Sequence, residues 1–122
     1  MHMQCRAFVH KAQDFQGFVC ALSAQKVRTV IDMVRGKSAN EALEILRFVN
    51  KRAALHVQKL VASAVANAEE NFGVSRDDLF VAKITADEAP TRKWRRFGAR
   101  GRFKPILRRS SHVAIILRER GA

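Results

Sequence analysis

The residues with the clearest chemistry in this sequence are nine closely spaced cations between positions 91 and 109. No Asp or Glu interrupts them, and Trp94, Phe97 and Phe103 are interleaved with them. The planar arginine fork grips phosphate oxygens in pairs, and aromatic rings stack on unpaired bases. This pattern predicts binding to RNA, and the predicted phosphate ligands are Arg92, Lys93, Arg95, Arg96, Arg100, Arg102, Lys104, Arg108 and Arg109.

The positive charge of the chain is concentrated in its last quarter. The net charge of the 122 residues is +12. Residues 1–89 contain 12 Lys or Arg and 10 Asp or Glu, which leaves +2, whereas residues 90–122 contain 11 Lys or Arg and one acid, which leaves +10. Such an asymmetry indicates a polyanionic partner. The alternative is an arginine-rich tail for solubility or localisation, but the interleaved aromatic residues and turn glycines favour a segment with a defined shape.

Apolar strands flank the cationic stretch on both sides. Residues 79–86 and 112–117 are rich in β-branched or aromatic residues, and the glycines at positions 98 and 101 permit a chain reversal between them. The sequence therefore predicts one long β-hairpin. Asp87 and Glu88, just before Pro90, predict a bend where the cationic part leaves the rest of the protein.

Three amphipathic helices are predicted before this hairpin. Ser23 is a candidate N-cap for the first, and Ser38 with Glu41 forms a capping box for the second. The third is predicted at 51–71, and a short apolar run at 18–22 predicts an additional strand. Their apolar stripes include Val27, Val30, Ile31 and Val34 in the first helix, Ala39, Ala42, Leu43, Leu46 and Phe48 in the second, and Ala54, Val57, Val61, Ala64, Val65 and Ala68 in the third.

The predicted fold is α+β, with three helices packed on a small three-stranded antiparallel sheet and two strands extending as the long cationic hairpin. A chain of this length predicts a single domain, 1–122. Within it we expect an N-terminal extension at 1–15, a globular body at 18–78 and 111–118, and a hairpin at 79–117. The arm and tip of the hairpin occupy about 90–109, and this segment is called the arm below.

Catalysis, metal binding and cofactor binding are not predicted. The acids are dispersed, and adjacent pairs such as Glu69 and Glu70 do not face each other across a cleft. Cys5, Cys20 and the four histidines lack the spacing of metal ligands, so both thiols are expected to be reduced in a cytoplasmic protein. No apolar run is long enough for a bilayer, and no membrane partner is expected.

Two further classes of function are alternatives to a structural RNA-binding protein. The first is a free-standing basic module that binds nucleic acid, such as a DNA-associated or antisense-RNA protein. The second is an enzyme acting on RNA, which the scattered acids and histidines disfavour. On the third helix, Lys51, Arg52 and Lys59 are candidates for a second phosphate contact, although such residues more often form a solvated helix face.

Seven motifs follow one another between residues 23 and 117: S-A-Q-K-V-R from Ser23, R-G-K-S-A-N-E-A-L from Arg35, N-K-R-A-A from Asn50, S-A-V-A-N-A-E-E-N from Ser63, D-E-A-P-T from Asp87, A-R-G-R from Ala99 and R-R-S-S-H-V from Arg108. In order and spacing they resemble the bacterial-type large-ribosomal-subunit protein twenty-two family (the universal L twenty-two family). Two departures are Ala89, where the family usually has Gly, and the pair Trp94 and Phe103, which are bulkier than the usual tip residues.

The resemblance implies a structural constituent of the large subunit in a bacterial, cytoplasmic ribosome. Its body would lie near the mouth of the nascent-peptide tunnel, and its hairpin would thread through large-subunit rRNA, support assembly and affect tunnel-binding macrolides. The implied partners are rRNA, neighbouring large-subunit proteins and the nascent peptide. Beyond the arm cations, the predicted rRNA-binding residues are Trp94, because of its position among those cations, and Lys26, Arg28, Lys51 and Arg52. The implied tunnel tip comprises Arg95, Arg96, Phe97, Gly98, Ala99, Arg100, Gly101, Arg102 and Phe103.

Overall fold

The computed structural model describes residues 19–120, so the predicted N-terminal extension at 1–15 lies outside the described residues. The fold is α+β, with three helices and an antiparallel hairpin sheet, as predicted. The elements in chain order are β1 (Val19–Cys20), α1 (Ala24–Val34), α2 (Ala39–Phe48), α3 (Arg52–Phe72), β2 (Leu79–Phe97) and β3 (Phe103–Glu119). Single 3-10 turns at Arg76–Asp78 and Ala99–Gly101 precede and follow β2.

Helix α1 buries the stripe that its spacing predicted. Val27, Val30, Ile31 and Val34 are all fully buried. Ser23 occupies the N-cap position, where its carbonyl accepts the Val27 N–H at 3.2 Å, although its hydroxyl makes no capping bond in the described part of the chain. The apolar spacing therefore determines this helix more than its cap does.

Helix α2 begins at the predicted cap but buries a narrower stripe than predicted. Ser38 Oγ accepts a hydrogen bond from the Glu41 N–H at 3.3 Å, and the Glu41 carboxylate lies 3.1 Å from Lys37 Nζ. The prediction that Phe48 widens the apolar stripe is wrong, because Phe48 is 87% exposed. It follows the buried Leu46 by two residues, which is about 200° around the helix, so it points away from the core.

Helix α3 provides the largest helical contribution to the core. Gly73 ends it with φ +62°, a left-handed conformation that favours glycine. Because many of its core residues are alanines, neighbouring elements can approach closely, and α3 packs against α1, α2 and β3. Its buried residues are Ala53, Ala54, Val57, Leu60, Val61, Ala64, Val65 and Ala68.

The body half of the hairpin turns one face toward the helices. Alternate residues of β3, including Val113, Ile115 and Leu117, are buried, as expected for a strand covered on one face. In β2 a register shift between Val81 and Lys83 inserts one extra residue. Because of this bulge, Val81 and Ile84 both face the core although they are three residues apart.

The predicted third strand at 18–22 is present only in part. Of that range the structure describes 19–22, and only Val19 and Cys20 pair with β3, opposite His112 and Ser111. The sheet order is β1-β3-β2. Most of the sheet is therefore the two-stranded hairpin, and a full third strand is not confirmed.

Arg28 of α1 and Arg35, which follows the last residue of α1, cover the free edge of β2. Nε and Nη2 of Arg28 donate to the Ala86 carbonyl at 3.1 and 3.0 Å, and Nη2 of Arg35 donates to the Ile84 carbonyl at 3.1 Å. Residues two apart in an antiparallel strand direct their carbonyls to the same side. Because β2 ends the sheet, these carbonyls have no strand partner, and the arginines satisfy them.

Within the described residues, no helix has both the length and the apolar character needed to cross a bilayer.

Candidate nucleic-acid interface

The arm begins where the buried residues of both hairpin strands end. Ala89 of β2 and Ser111 of β3 are buried, whereas every residue of the arm is exposed except the half-buried Gly98. The seven residues of β2 from 91 to 97 extend roughly 23 Å at about 3.3 Å per residue. The nine predicted phosphate ligands therefore project from the body on a two-stranded ribbon.

A β-bulge marks the base of the arm. Ala89 pairs with Ser110 and Arg92 pairs with Arg108, so two residues of β2 stand opposite one residue of β3. Pro90 has no N–H to donate to the ladder, and the Ser110 hydroxyl donates to the Pro90 carbonyl at 2.9 Å. This irregularity lies where Asp87, Glu88 and Pro90 predicted a bend.

Cross-strand pairing divides the side chains of the arm between two faces. Paired residues share a face, and successive residues alternate. The pairs are Arg92 with Arg108, Lys93 with Leu107, Trp94 with Ile106, Arg95 with Pro105, Arg96 with Lys104, and Phe97 with Phe103. We call the set Arg92, Trp94, Arg96, Lys104, Ile106 and Arg108 the tryptophan face, and the set Lys93, Arg95, Phe97, Phe103, Pro105 and Leu107 the phenylalanine face.

The aromatic rings of the phenylalanine face contact one another. The Phe97 and Phe103 ring centroids are 5.6 Å apart and the rings are tilted by 42°. The Arg95 guanidinium lies over the Phe103 ring, 5.5 Å from its centroid, a cation–π geometry. These rings stabilise the end of the hairpin, so part of their surface is already occupied.

The tryptophan face combines an open ring with repelling charges. Trp94 is 61% exposed, and no aromatic or cation–π pair involves it in the described part of the protein. Two cation pairs stand directly opposite each other, Arg92 with Arg108 and Arg96 with Lys104. Like charges at directly paired positions destabilise a hairpin, and phosphate between them would remove that penalty.

The chain reverses at the tip, where Gly98 and Gly101 predicted a turn. The Gly98 N–H donates to the Arg102 carbonyl at 2.7 Å, and the Arg102 N–H donates to the Ala99 carbonyl at 3.3 Å. Gly101 has φ +70° and Arg100 has φ +58°. The left-handed Arg100 was not foreseen, because an arginine gives no sequence signal for that conformation.

A groove between the arm and the body brings several predicted ligands together. It runs from the loop before α1 to the base of the arm, and Lys26 and Arg52 border it from the body. Arg92, Arg108 and Arg109 border it from the arm, together with Trp94. Thus residues far apart in sequence form one cationic surface.

Two other predicted ligands, Arg28 and Lys51, contact the body instead. Arg28 donates to the Ala86 carbonyl as described above, and Lys51 Nζ donates to Thr29 Oγ1 at 3.3 Å. Sequence reasoning overlooked Ser110, which fixes the bulge and also lines the groove. Ser110 and Pro90 are 20 residues apart in sequence, so no local pattern indicated their contact.

The described residues were also compared with the requirements of a metal site. They contain no cluster of three or more His, Cys, Asp or Glu side chains that could hold a metal ion. Burial raises the pKa of the Cys20 thiol, although a hydrogen bond with the Leu22 backbone and the nearby charge of Arg52 oppose this rise. Cys20 is therefore a protonated, buried thiol rather than a reactive one.

An α+β body that carries an exposed cationic arm without acids is typical of proteins that contact a structured polyanion. The family model described as ribosomal protein L22p/L17e matches residues 15–118. The chain belongs to this family and is a structural protein of the large ribosomal subunit. Membership implies association with ribosomal RNA and other ribosomal proteins, and it confirms the resemblance drawn from the sequence motifs.

Proposed function

We propose that the arm binds large-subunit rRNA directly and thereby supports assembly of the subunit. The observation that carries this proposal is the pairing of cation with cation across the arm, Arg92 with Arg108 and Arg96 with Lys104. An isolated hairpin is destabilised by such pairs. They are favourable where phosphates from converging RNA segments lie between and around them.

The proposed mechanism is electrostatic and geometric rather than catalytic. Arginine forks hold crowded phosphates at fixed distances, and the ribbon fixes the spacing of those forks. Ordering a chain segment costs about 1–2 kcal/mol per residue, and the RNA contacts offset this cost as the RNA closes around the arm. The groove with Lys26 and Arg52 extends the same contact onto the body.

The tip is proposed to reach the wall of the nascent-peptide tunnel. It comprises residues 95–103, which lie at the end of the arm farthest from the body. There the nascent peptide would pass Phe97 and Phe103, while the body contacts neighbouring large-subunit proteins. The proposed location is the cytoplasmic ribosome of a bacterium.

The proposal predicts that three arm cations contribute far more to RNA binding than three body cations. We would compare the triple variant Arg92→Ala, Arg96→Ala, Arg108→Ala with the control triple variant Arg47→Ala, Lys83→Ala, Arg118→Ala, which removes the same charge from exposed body positions. Affinity for large-subunit rRNA is measured against salt concentration. The arm variant should reduce the slope of log affinity against log salt by about 2–3, at roughly 0.7–0.9 per lost phosphate contact.

The same variants can be tested in cells by sedimentation. Wild-type protein should remain with the large subunit after a high-salt wash, and the arm variant should be depleted from it. Circular dichroism should show that both variants keep the helical content of the wild type. Equal losses of affinity in both triple variants, or release of the wild type by salt, would refute a specific role for the arm and would favour a free-standing basic module.

A further inference from the structure

We infer that the tryptophan face is a binding site for one unpaired RNA base, which stacks on Trp94 while its flanking phosphates contact the cation pairs on either side. This inference rests on the proposed RNA-binding function and adds a ligand chemistry to it. The cation pairs are Arg92 with Arg108 on the body side of the ring and Arg96 with Lys104 on the tip side.

The spacing of the face suits a nucleotide strand that runs along β2. Arg92 and Arg96 are four residues apart, which places their backbones about 13 Å from each other, and Trp94 lies midway. A nucleotide whose base covers the indole directs its 5′ and 3′ phosphates away from the ring in opposite directions. One phosphate therefore meets each cation pair.

Trp94 is distinguished from the other aromatic residues of the arm by its contacts rather than by its exposure, since Phe97 and Phe103 are also exposed, at 85% and 57%. The indole is 61% exposed although it lies beside Ile106 in the ladder. On the opposite side of the arm, Phe97 and Phe103 contact each other and Arg95 covers Phe103. Of the three aromatic residues in the arm, Trp94 therefore has the largest ring and no ring or guanidinium contact within the described residues.

The ligand must be an unpaired base because a base within a duplex is covered on both faces by its neighbours. Single-stranded segments and bulges can present a free face to an aromatic side chain. The four cations around Trp94, with no acid in the arm, favour a partner that carries phosphate over a peptide. The structure thus assigns the tryptophan face to a bulged or looped nucleotide.

A direct test uses the fluorescence of Trp94, since the chain contains one tryptophan and no tyrosine. The full chain is titrated with a short adenine-only RNA strand, with an RNA duplex of equal length and with inorganic polyphosphate. All three ligands supply phosphates, but only the single strand supplies free base faces. We expect the single strand to quench the emission roughly twofold or more, as stacking requires, and the other two ligands to leave it nearly unchanged at saturation.

A pair of variants separates the ring from the charges. Trp94→Ala should weaken binding of a dye-labelled single strand by about 5- to 150-fold, the range for loss of one aromatic–base stack, and should leave duplex binding nearly unchanged. Phe48→Ala, which removes an aromatic ring of the body that is 87% exposed, is the matched control and should change single-strand binding much less. Circular dichroism checks that both variants retain the fold.

The outcomes distinguish this inference from the proposed function. If the wild type binds single strand, duplex and polyphosphate with equal quenching, or if Trp94→Ala weakens single strand and duplex alike, the base-stacking site is refuted while RNA binding stands. If the single strand binds without quenching and Trp94→Ala has no effect, the site is refuted as well. If the wild type binds no nucleic acid at low salt, the proposed function itself fails and the inference fails with it.

Discussion

The same two strands form both the body and the arm, yet the two regions are stabilised in different ways. In the body, Ile84 and Ile115 are paired, and both are fully buried against the helices. In the arm, Trp94 and Ile106 are paired in the same ladder, and both are exposed. The transition occurs within a few residues, at the bulge beside Pro90.

This difference shows that strand pairing alone does not make a stable unit. The body strands place apolar residues on one face and bury them, so the hydrophobic effect supports the ladder. The arm strands place cations on both faces and leave their large apolar side chains exposed, and an isolated two-stranded ribbon is at best marginally stable in water. The body is therefore expected to fold by itself, whereas the arm depends on its partner.

The largest expected effect comes from the same substitution made in each region. Ile115→Ala removes a fully buried side chain and should lower the free energy of unfolding by about 2–5 kcal/mol. For a chain of this size that lowers Tm by roughly 8–20 °C. Ile106→Ala, at a position 38% exposed in the arm, should change the free energy by less than about 0.5 kcal/mol.

Thermal unfolding followed by far-ultraviolet circular dichroism measures both isoleucine variants. The helices of the body dominate this signal, so it reports on the core. A loss of stability in Ile106→Ala as large as that in Ile115→Ala would show that the arm packs against something in the free protein, and the proposed division between the regions would be wrong.

A second comparison involves two arginines that have different roles. Arg28 donates twice to the Ala86 carbonyl at the edge of β2, and Arg28→Ala should lower the free energy of unfolding by about 1.5 kcal/mol, as for a hydrogen bond that involves a charged group. Arg92→Ala should leave this free energy unchanged and should weaken rRNA binding. Urea unfolding and an rRNA filter-binding assay are run on both variants.

We expect Arg28→Ala to affect mainly the free energy of unfolding and Arg92→Ala to affect mainly rRNA binding. If Arg28→Ala weakens rRNA binding as much as Arg92→Ala does and leaves the free energy of unfolding unchanged, then Arg28 is primarily an RNA ligand. Its contact with Ala86 would then contribute little to the body.

Sequence reasoning succeeded where the spacing of residues determines an element, and it fell short where a contact between elements decides the role of a residue. The helices were predictable because core residues such as Val27 and Val61 recur at helical spacing, and the hairpin was predictable from apolar strands around turn glycines. The edge contact of Arg28 was not predictable, since it depends on which strand ends the sheet. Phe48 was misplaced because the apolar stripe was drawn too wide at the end of α2.

The candidate site was also predictable only in part. A run of cations identifies the arm without any structure, because like charges are rarely concentrated without an anionic partner. The division of these residues between a tryptophan face and a phenylalanine face needs the pairing register. A bulge of one residue at Pro90 and Thr91 sets that register, and a one-residue slip would exchange the faces.

The smallest expected effect compares two glycines that share a conformation but not a region. Gly73 ends α3 with φ +62° and Gly101 lies in the tip with φ +70°, and a Cβ at either position would meet no atom within 4 Å. Replacement by alanine therefore costs only the left-handed backbone energy, about 1 kcal/mol. In Gly73→Ala this cost should lower Tm by roughly 4 °C, because Gly73 belongs to the cooperative unit of the body.

Gly101→Ala carries the same local cost but should leave Tm unchanged, because the arm can open without exposing the core. The cost should appear instead in binding, as about a fivefold loss of affinity for rRNA if the tip must adopt its turn in the complex. Scanning calorimetry and rRNA titration measure the two quantities. An equal decrease in Tm for both glycine variants would mean that arm and body unfold as one unit, and the dependence of the arm on its partner would then have to be abandoned.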